Sequence, residues 1–246
     1  MSSTRGGDRL DPSHMFTTPA WAVDAVLPHL PLAGVVVDAG CGEGAILSRV
    51  AARGASGYLV GVECDVGRAA TAETRVREAA RNQSPVRICD GDWLTFKNIG
   101  RVDLCIFNPP FGLAEEFIEH ACELTAPTNG TVAALLRFNW GIPACREAIS
   151  KRHPFDLGFL RRRCDFVASL KCGATPRCAW KTMQPIDAAR PKGCPGCGGK
   201  ILVVTTDSSD YAWHLIGPGR GGRFFALDIP ERAASAISIT DAMGGR

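Results

Sequence analysis

The sequence predicts an α/β fold with a doubly wound, mostly parallel sheet, and three observations predict it. Short continuous apolar runs recur between residues 34 and 136, as buried parallel strands require. Each run is followed by a segment of helical periodicity, so consecutive strands must be joined by right-handed crossovers. The first run ends on a carboxylate and passes into Ala39-Gly40-Cys41-Gly42-Glu43-Gly44, a glycine-rich turn of the kind that opens a ligand site at a sheet's carboxyl edge.

In chain order, residues 1–13 are polar and read as disordered. Thr17-Thr18-Pro19 opens a helix running to about Leu30, its apolar face set by Trp21, Val23, Val26, Leu27 and Leu30. Val35-Val36-Val37-Asp38 is the first strand, and a helix runs to about Arg53, closed by Gly54. Tyr58 to Glu63 is the second strand, Val66 to Arg81 a helix, Val86 to Asp90 the third strand and Val102 to Phe107 the fourth. Gly112 to Leu124 reads as a helix and Thr131 to Leu136 as the fifth strand. Beyond Phe138 the alternation weakens: a helix over Ala144–Arg152, a strand over Phe155–Leu160, and further strands at Lys200–Val204 and Tyr211–Ile216.

The domain reading follows. Residues 14–166 and 203–230 form the main domain, 167–202 a cysteine-rich insertion, and 231–246 a tail. At 246 residues the chain suits one domain with an appendage. Its net charge of +3 neither demands nor excludes nucleic acid. No apolar run suits a bilayer and no signal-peptide core follows Met1, so a cytoplasmic protein without membrane contact is expected, a monomer or weak dimer.

Of the eleven cysteines, Cys41, Cys64, Cys89, Cys105, Cys122 and Cys145 read as small buried hydrophobes. Cys172, Cys178, Cys194 and Cys197 differ, because they cluster around the knuckle Cys194-Pro195-Gly196-Cys197. Four thiolates suit a structural Zn²⁺, free thiols being the alternative. Lys171, Arg177, Lys181, Arg190, Lys192 and Lys200 surround them, which suggests a nucleic-acid-contacting element or simply a solvated surface. Lys151-Arg152 and Arg161-Arg162-Arg163 are further candidate phosphate contacts, whereas Phe166 and Trp140 read as core.

The chemistry centres on Asn108-Pro109-Pro110-Phe111, at the end of the fourth strand. An amide, two prolines and an aromatic at a strand tip form a clamp for a flat, nitrogen-bearing group. The Asn108 carbonyl and the Pro109 backbone carbonyl accept the amine's two protons, the prolines stiffen the loop, and Phe111 stacks. Glu63, closing the second strand, has the position of an acid that accepts both hydroxyls of a ribose.

This set, from Asp38 through Glu63 and Asp92 to Asn108, resembles class I S-adenosylmethionine-dependent methyltransferases. The Asn-Pro-Pro-Phe motif is similar to that of gamma-class adenine-specific DNA amino-methyltransferases, including phage or prophage types with a zinc-ribbon insertion. The aromatic is Phe where the family more often has Tyr. The resemblance covers residues 14–140 and implies a Rossmann-like fold with a seven-stranded sheet. It implies that Asp38, Ala39, Gly40, Cys41 and Gly42 cradle the methionine part of S-adenosylmethionine, and that Glu63 binds its ribose. It implies that Asp92 and Trp93 flank the cofactor's adenine, and that Thr17, Thr18 and Pro19 contact the methionine carboxylate. Asn108 to Phe111 would then hold the N6 amine of an adenine in DNA, flipped from the duplex. Alternatives sharing the clamp are amino-methylation of adenine or guanine in RNA and of a glutamine amide in protein. A nucleic-acid-binding protein that keeps the fold without catalysis is the non-enzymatic reading.

Overall fold

A computed structural model describes residues 17–97, 100–164, 166–173, 178–185, 191–205 and 209–229. The expectations for residues 1–13 and 231–246, and for Arg177 and Arg190, lie outside the described residues. Within them, eleven strands and five α-helices fall into one large sheet with flanking helices and one small sheet.

The strands of the large sheet are β1 (Ala33–Ala39), β2 (Ser56–Glu63), β3 (Val86–Asp90), β4 (Leu104–Phe107), β5 (Thr131–Arg137), β6 (Phe155–Leu160), β10 (Tyr211–Ile216) and β11 (Phe224–Leu227). Their order is β11-β6-β10-β5-β4-β1-β2-β3. All pairs are parallel except those of β10, which runs antiparallel to both β5 and β6. The seven expected strands are all present, and β11 adds an eighth at the edge, parallel to β6. The small sheet, in the order β8-β7-β9, comprises β7 (Val167–Cys172), β8 (Lys181–Pro185) and β9 (Ile201–Thr205). β9 runs on to Thr205, past residue 202.

The helices are α1 (Ala20–Val26), α2 (Ala45–Ala52), α3 (Val66–Ala80), α4 (Ala114–Thr125) and α5 (Glu147–Arg152). One face of the sheet buries Val36, Leu59, Leu104, Ile106, Leu135 and Trp213 with Val23, Leu47, Val50 and Val76. The other buries Val37, Val60, Cys105, Phe107, Leu136, Phe117 and Ile118. Apolar side chains on both faces are what a sheet covered on both sides demands, which is why β4 and β5 read as unbroken apolar runs. Burial at about 25 cal/mol per Å² of apolar surface is the main force holding these layers.

Specific contacts set α1 in place. The buried Trp213 indole donates to the Ala22 carbonyl at 2.9 Å, and Arg49 on α2 donates to Asp24 at 2.9 Å. The turn after Ile216 is fixed by fully buried Asp156, which accepts from the Gly221 amide at 2.9 Å and from Arg223 Nε at 2.9 Å. Asp156 is held below the usual carboxylate range: burial alone would raise it, but the Arg223 guanidinium and the Gly221 and Arg223 amides outweigh that. No helix among the described residues is long and apolar enough to cross a membrane.

Candidate active site

The strand order reverses between β1 and β4, from which the chain continues to β2 on one side and β5 on the other. In such sheets the crevice at the carboxyl ends of those two strands is where ligands are bound. Asp38, Glu63 and Asn108 lie at strand ends on this edge. β1 pairs with β2 so that Asp38 lies beside Gly61 and Ala39 beside Val62, and β2 pairs with β3 so that Glu63 lies beside Asp90. β4 continues directly into Asn108.

The glycine-rich loop is stitched to β2. The Cys41 amide donates to the Val62 carbonyl at 3.0 Å, and the Gly42 amide donates to Glu63 Oε2 at 2.8 Å. Glu63, itself 1% exposed, also accepts from the Asp65 amide at 3.0 Å through its other oxygen. The Cys64 thiol donates to that same oxygen at 3.5 Å. A carboxylate offers about four acceptor positions, so these bonds fix its orientation and leave capacity for a ribose hydroxyl, chiefly on Oε2. Gly44 must be glycine for two reasons: its φ is +78°, and a Cβ would sit 2.8 Å from Val76 on α3. Gly42, at φ +55°, has nothing within 4 Å of where its Cβ would be, so the loop presents bare backbone to open space.

Asp38 is the anomaly. It is 1% exposed, and neither carboxylate oxygen has a hydrogen-bond partner. Burial pushes its pKa well above the usual carboxylate range, and the Glu63 charge pushes in the same direction. The Leu47 amide in the first turn of α2 offsets part of this without reaching hydrogen-bond geometry. A buried carboxylate with no partner is costly unless a cationic or hydrogen-bonding group completes it. The methionine part of S-adenosylmethionine carries such an ammonium, and the bare loop and the Glu63 acceptor suit the rest of a nucleoside cofactor. The residues present fit that group.

Opposite the loop, Asn108 Nδ2 donates to Thr18 Oγ1 at 3.1 Å. The two residues are 90 positions apart in sequence. Thr18 is buried at the threshold of α1, where the Pro19 carbonyl accepts from the Ala22 and Val23 amides at 3.0 and 3.3 Å. With its NH₂ group committed to Thr18, the Asn108 carbonyl oxygen is directed elsewhere as an acceptor. Pro110 starts a tight turn by accepting from the Leu113 amide at 2.9 Å, and Phe111 stands 40% exposed beyond it. The Phe111 ring lies 6.1 Å from Tyr211, which meets buried Phe166 edge-on at 4.9 Å. Arg137 lies over Phe111 at 5.4 Å and Arg162 over Trp21 at 5.2 Å. Arg137 and Tyr211 carry no signal in the sequence that ties them to the clamp. Only the β5–β10 register, which sets them opposite one another, brings them here.

Trp93 departs from expectation. It is 2% exposed, packed against Phe117 at 6.3 Å and edge-on to His120 at 4.9 Å under α4. It therefore presents no open face to a cofactor ring. Asp92 caps its own turn by accepting from the Leu94 amide at 3.0 Å. The exposed side chains directly after Glu63 are Cys64, Asp65 and Val66, the last 65% exposed. Cys64 and Cys145 are thus surface residues, against the expectation that the scattered cysteines are buried; Cys122 is half-buried. Trp140 and Phe166 are core, as expected.

The four clustered cysteines come together: their sulfur atoms all lie within 4.8 Å of one another. Cys172 and Cys197 are 3.4 Å apart, Cys178 and Cys194 3.7 Å. Tetrahedral Zn²⁺ with Zn–S bonds of about 2.3 Å requires sulfurs about 3.8 Å apart. The knuckle is closed by the Gly198 amide donating to the Cys194 carbonyl at 2.7 Å. Burial opposes ionisation of Cys194, but the Gly196 and Cys197 amides and the neighbouring thiols outweigh it and bring the thiol down to about 7. The donor set suits Zn²⁺ held on four sides, with no open position for catalysis.

Residues 21–128 match the family model of the methyltransferase small domain. Solved structures agree. A predicted O-methyltransferase from Agrobacterium tumefaciens superposes with a TM-score of 0.53 at 16% identity, over 86% of this chain and 85% of that one. The fold is that of class I methyltransferases. A Pyrococcus horikoshii protein assigned as an RNA methyltransferase gives a TM-score of 0.51 at 16% identity, over 89% and 95% of the two chains. An S-adenosylmethionine-dependent O-methyltransferase from Thermotoga maritima gives 0.50 at 15% identity, over 89% and 70%. No curated protein matches the chain. Residues 21–128 thus match a methyltransferase domain, and the chain as described has the Rossmann-like fold of methyltransferases.

Proposed function

We propose that this protein methylates the exocyclic amine of a nucleic-acid base, with N6 of adenine in DNA as the first substrate. The observation that carries the reading is the Asn108–Thr18 hydrogen bond at the tip of β4. It turns the Asn108 carbonyl into a fixed acceptor beside the Pro109 carbonyl, a pair suited to the two protons of a planar –NH₂ group. Accepting both protons favours a pyramidal nitrogen, whose lone pair is otherwise delocalised into the ring. Neither proline has an amide N–H to compete for these acceptors. Phe111, exposed at the same tip, supplies the stacking face.

S-adenosylmethionine, when bound, supplies a methyl group on a positively charged sulfur. Asp38 would meet its ammonium, the Gly40–Gly42 backbone its methionine part and Glu63 its ribose, with Cys64 and Val66 as the exposed surface beside its adenine. The substrate nitrogen loses its proton only after it has become cationic, so the site needs no strong base. Proximity and orientation supplied by a stiff clamp are the main sources of rate.

RNA is the second reading, favoured by the fold shared with the P. horikoshii protein over most of both chains. For either polymer, we assign the cysteine cluster to structural zinc and the surrounding Lys171, Lys181, Lys192 and Lys200 to backbone contact. The deciding experiment incubates the protein and methyl-labelled cofactor with duplex DNA, RNA and a glutamine peptide. Label on N6 of adenine in DNA is expected. Label in RNA alone moves the substrate to the second reading, and label in the peptide alone defeats both.

A further inference from the structure

Arg137, like Arg162 over Trp21, rests on an aromatic ring, and its ring is that of the clamp's own Phe111. Most described arginines are paired with acids: Arg49 with Asp24, Arg75 with Glu43, Arg101 with Asp103, Arg146 with Glu115, Arg163 with Asp210 and Arg223 with Asp156. Arg137 makes no such ion pair among the described residues. Its guanidinium instead lies 5.4 Å over the ring of Phe111. It is exposed, and it ends β5 at the carboxyl edge of the sheet, beside the strand that carries the clamp. Its backbone is not free to drift, because it faces Tyr211 across the β5–β10 ladder and the next amide, Phe138, donates to Asp210 at 2.8 Å.

A planar group stacked on Phe111 competes for the ring face that Arg137 covers. An arginine resting on an exposed aromatic ring is held weakly, and a guanidinium–phosphate contact is stronger and often bidentate. Exchange of one for the other is therefore favourable when the incoming ring is tethered to an anion. We infer that Arg137 is a substrate-positioning residue: it yields the Phe111 face to the target base and takes the phosphodiester next to it. The cation then reports the entry of a nucleotide as distinct from a bare amine, which selects for a base carried on a phosphate backbone. This inference rests on the nucleic-acid reading above. Phosphodiesters of DNA and RNA share the chemistry, so both enter the test.

The test compares wild type with Arg137→Gln and Arg137→Lys on single-stranded DNA and RNA oligonucleotides of one sequence. It measures kcat and KM, and the salt dependence of binding by the S-adenosylhomocysteine-loaded protein. For Arg137→Gln a KM increase of about tenfold is expected, with kcat within about threefold and the log–log salt slope smaller by about 0.7 for the one lost phosphate contact. Arg137→Lys should recover most of the salt slope, since charge alone sets it, but only part of KM, since the planar fork is lost. Unchanged S-adenosylhomocysteine affinity and melting temperature show that the variants are folded. If wild type turns over either oligonucleotide and Arg137→Gln matches it in KM and salt slope, the inference fails and the substrate reading stands. If wild type turns over duplex DNA alone, the same comparison on the duplex decides; if it turns over no nucleic acid, the substrate reading falls and this inference with it.

Discussion

Replacing Asp38 by Asn should make the protein more stable and less able to bind its cofactor. The substitution keeps the shape of a side chain that is 1% exposed while removing a charge for which no hydrogen bond is made. An unsatisfied buried polar group costs about 1–3 kcal/mol, and a charged one more. The amide keeps part of that cost but loses the repulsion from Glu63, so at pH values above the raised pKa, where Asp38 is ionised in the native state, a net gain of about 1–2 kcal/mol is expected. For a chain of this size that is a rise of about 2–8 °C in melting temperature. The same change removes the anion that would meet the cofactor's ammonium. A charge-assisted hydrogen bond is worth about 1.5–3 kcal/mol, so affinity for S-adenosylhomocysteine should fall by about 10–100-fold.

The pH dependence gives a second, independent reading of Asp38. Its pKa is raised in the native state, so between the ordinary carboxylate pKa and that raised value the folded protein binds more protons than the unfolded chain. Stability of the ligand-free wild type should therefore fall as pH rises through that window, and Asp38→Asn should flatten the fall. Scanning calorimetry across pH, with and without S-adenosylhomocysteine, measures all of these effects. A variant that melts lower than wild type, or that binds S-adenosylhomocysteine as tightly, would refute the assignment of Asp38 as a carboxylate waiting for a cation.

Asn108→Ala should lower kcat by about 10²–10³-fold with cofactor affinity unchanged, since it removes an acceptor aimed at the reacting group. Thr18→Val should cost less, about two- to tenfold in kcat, because one hydrogen bond of about 1 kcal/mol only biases which way the Asn108 amide faces. Trp93→Phe should leave S-adenosylhomocysteine affinity within about twofold, since the indole packs under α4 against Phe117 and His120; a larger loss by calorimetry would return Trp93 to the cofactor site. Elemental analysis should find one zinc per chain, lost in Cys194→Ser together with the small module's resistance to proteolysis. Asp156→Ala should destabilise the protein by about 3 kcal/mol in denaturant titration, because it takes the acceptor from two backbone amides and the counter-ion from the mostly buried Arg220 guanidinium. Because Asp156 is held low in the native state, its contribution should be present above the ordinary carboxylate pKa and lost as pH falls through its lowered value.

What was legible in the sequence follows from how each part is held. β4 and β5 are buried on both faces, so burial forces an unbroken apolar run that any reader sees. The positions of Asp38, Glu63 and Asn108 follow from strand ends alone. β11 was not legible, because four residues at an edge, with Phe224 69% exposed, impose almost no pattern. Trp93 turns inward for a related reason. An aromatic beyond a strand end can turn to the ligand or to the core, and here Phe117 and His120 of α4, more than twenty residues later, draw it inward. The Cys172–Cys178 spacing looks loose in one dimension. The β7–β8 ladder, which sets Lys171 opposite Lys181, closes it in three.

The least legible part of the chain is also the part that would choose the substrate, and the topology gives a reason. β6 ends, and β10 begins, at the same edge of the sheet as Asn108, since β10 runs antiparallel to β5 and β6 with Tyr211 opposite Arg137. Everything between them, from Arg161 through the four cysteines to Asp210, is therefore inserted at the clamp's edge of the sheet. An insertion there can be elaborated without disturbing the register of the core strands, because it joins the sheet at its two ends. The chemistry of the amine is set by residues the core must hold rigidly, and these leave a pattern. Recognition of whatever carries that amine is set by loops, a cysteine-held module and an arginine on a ring, and these need only charge, reach and a fixed point of attachment.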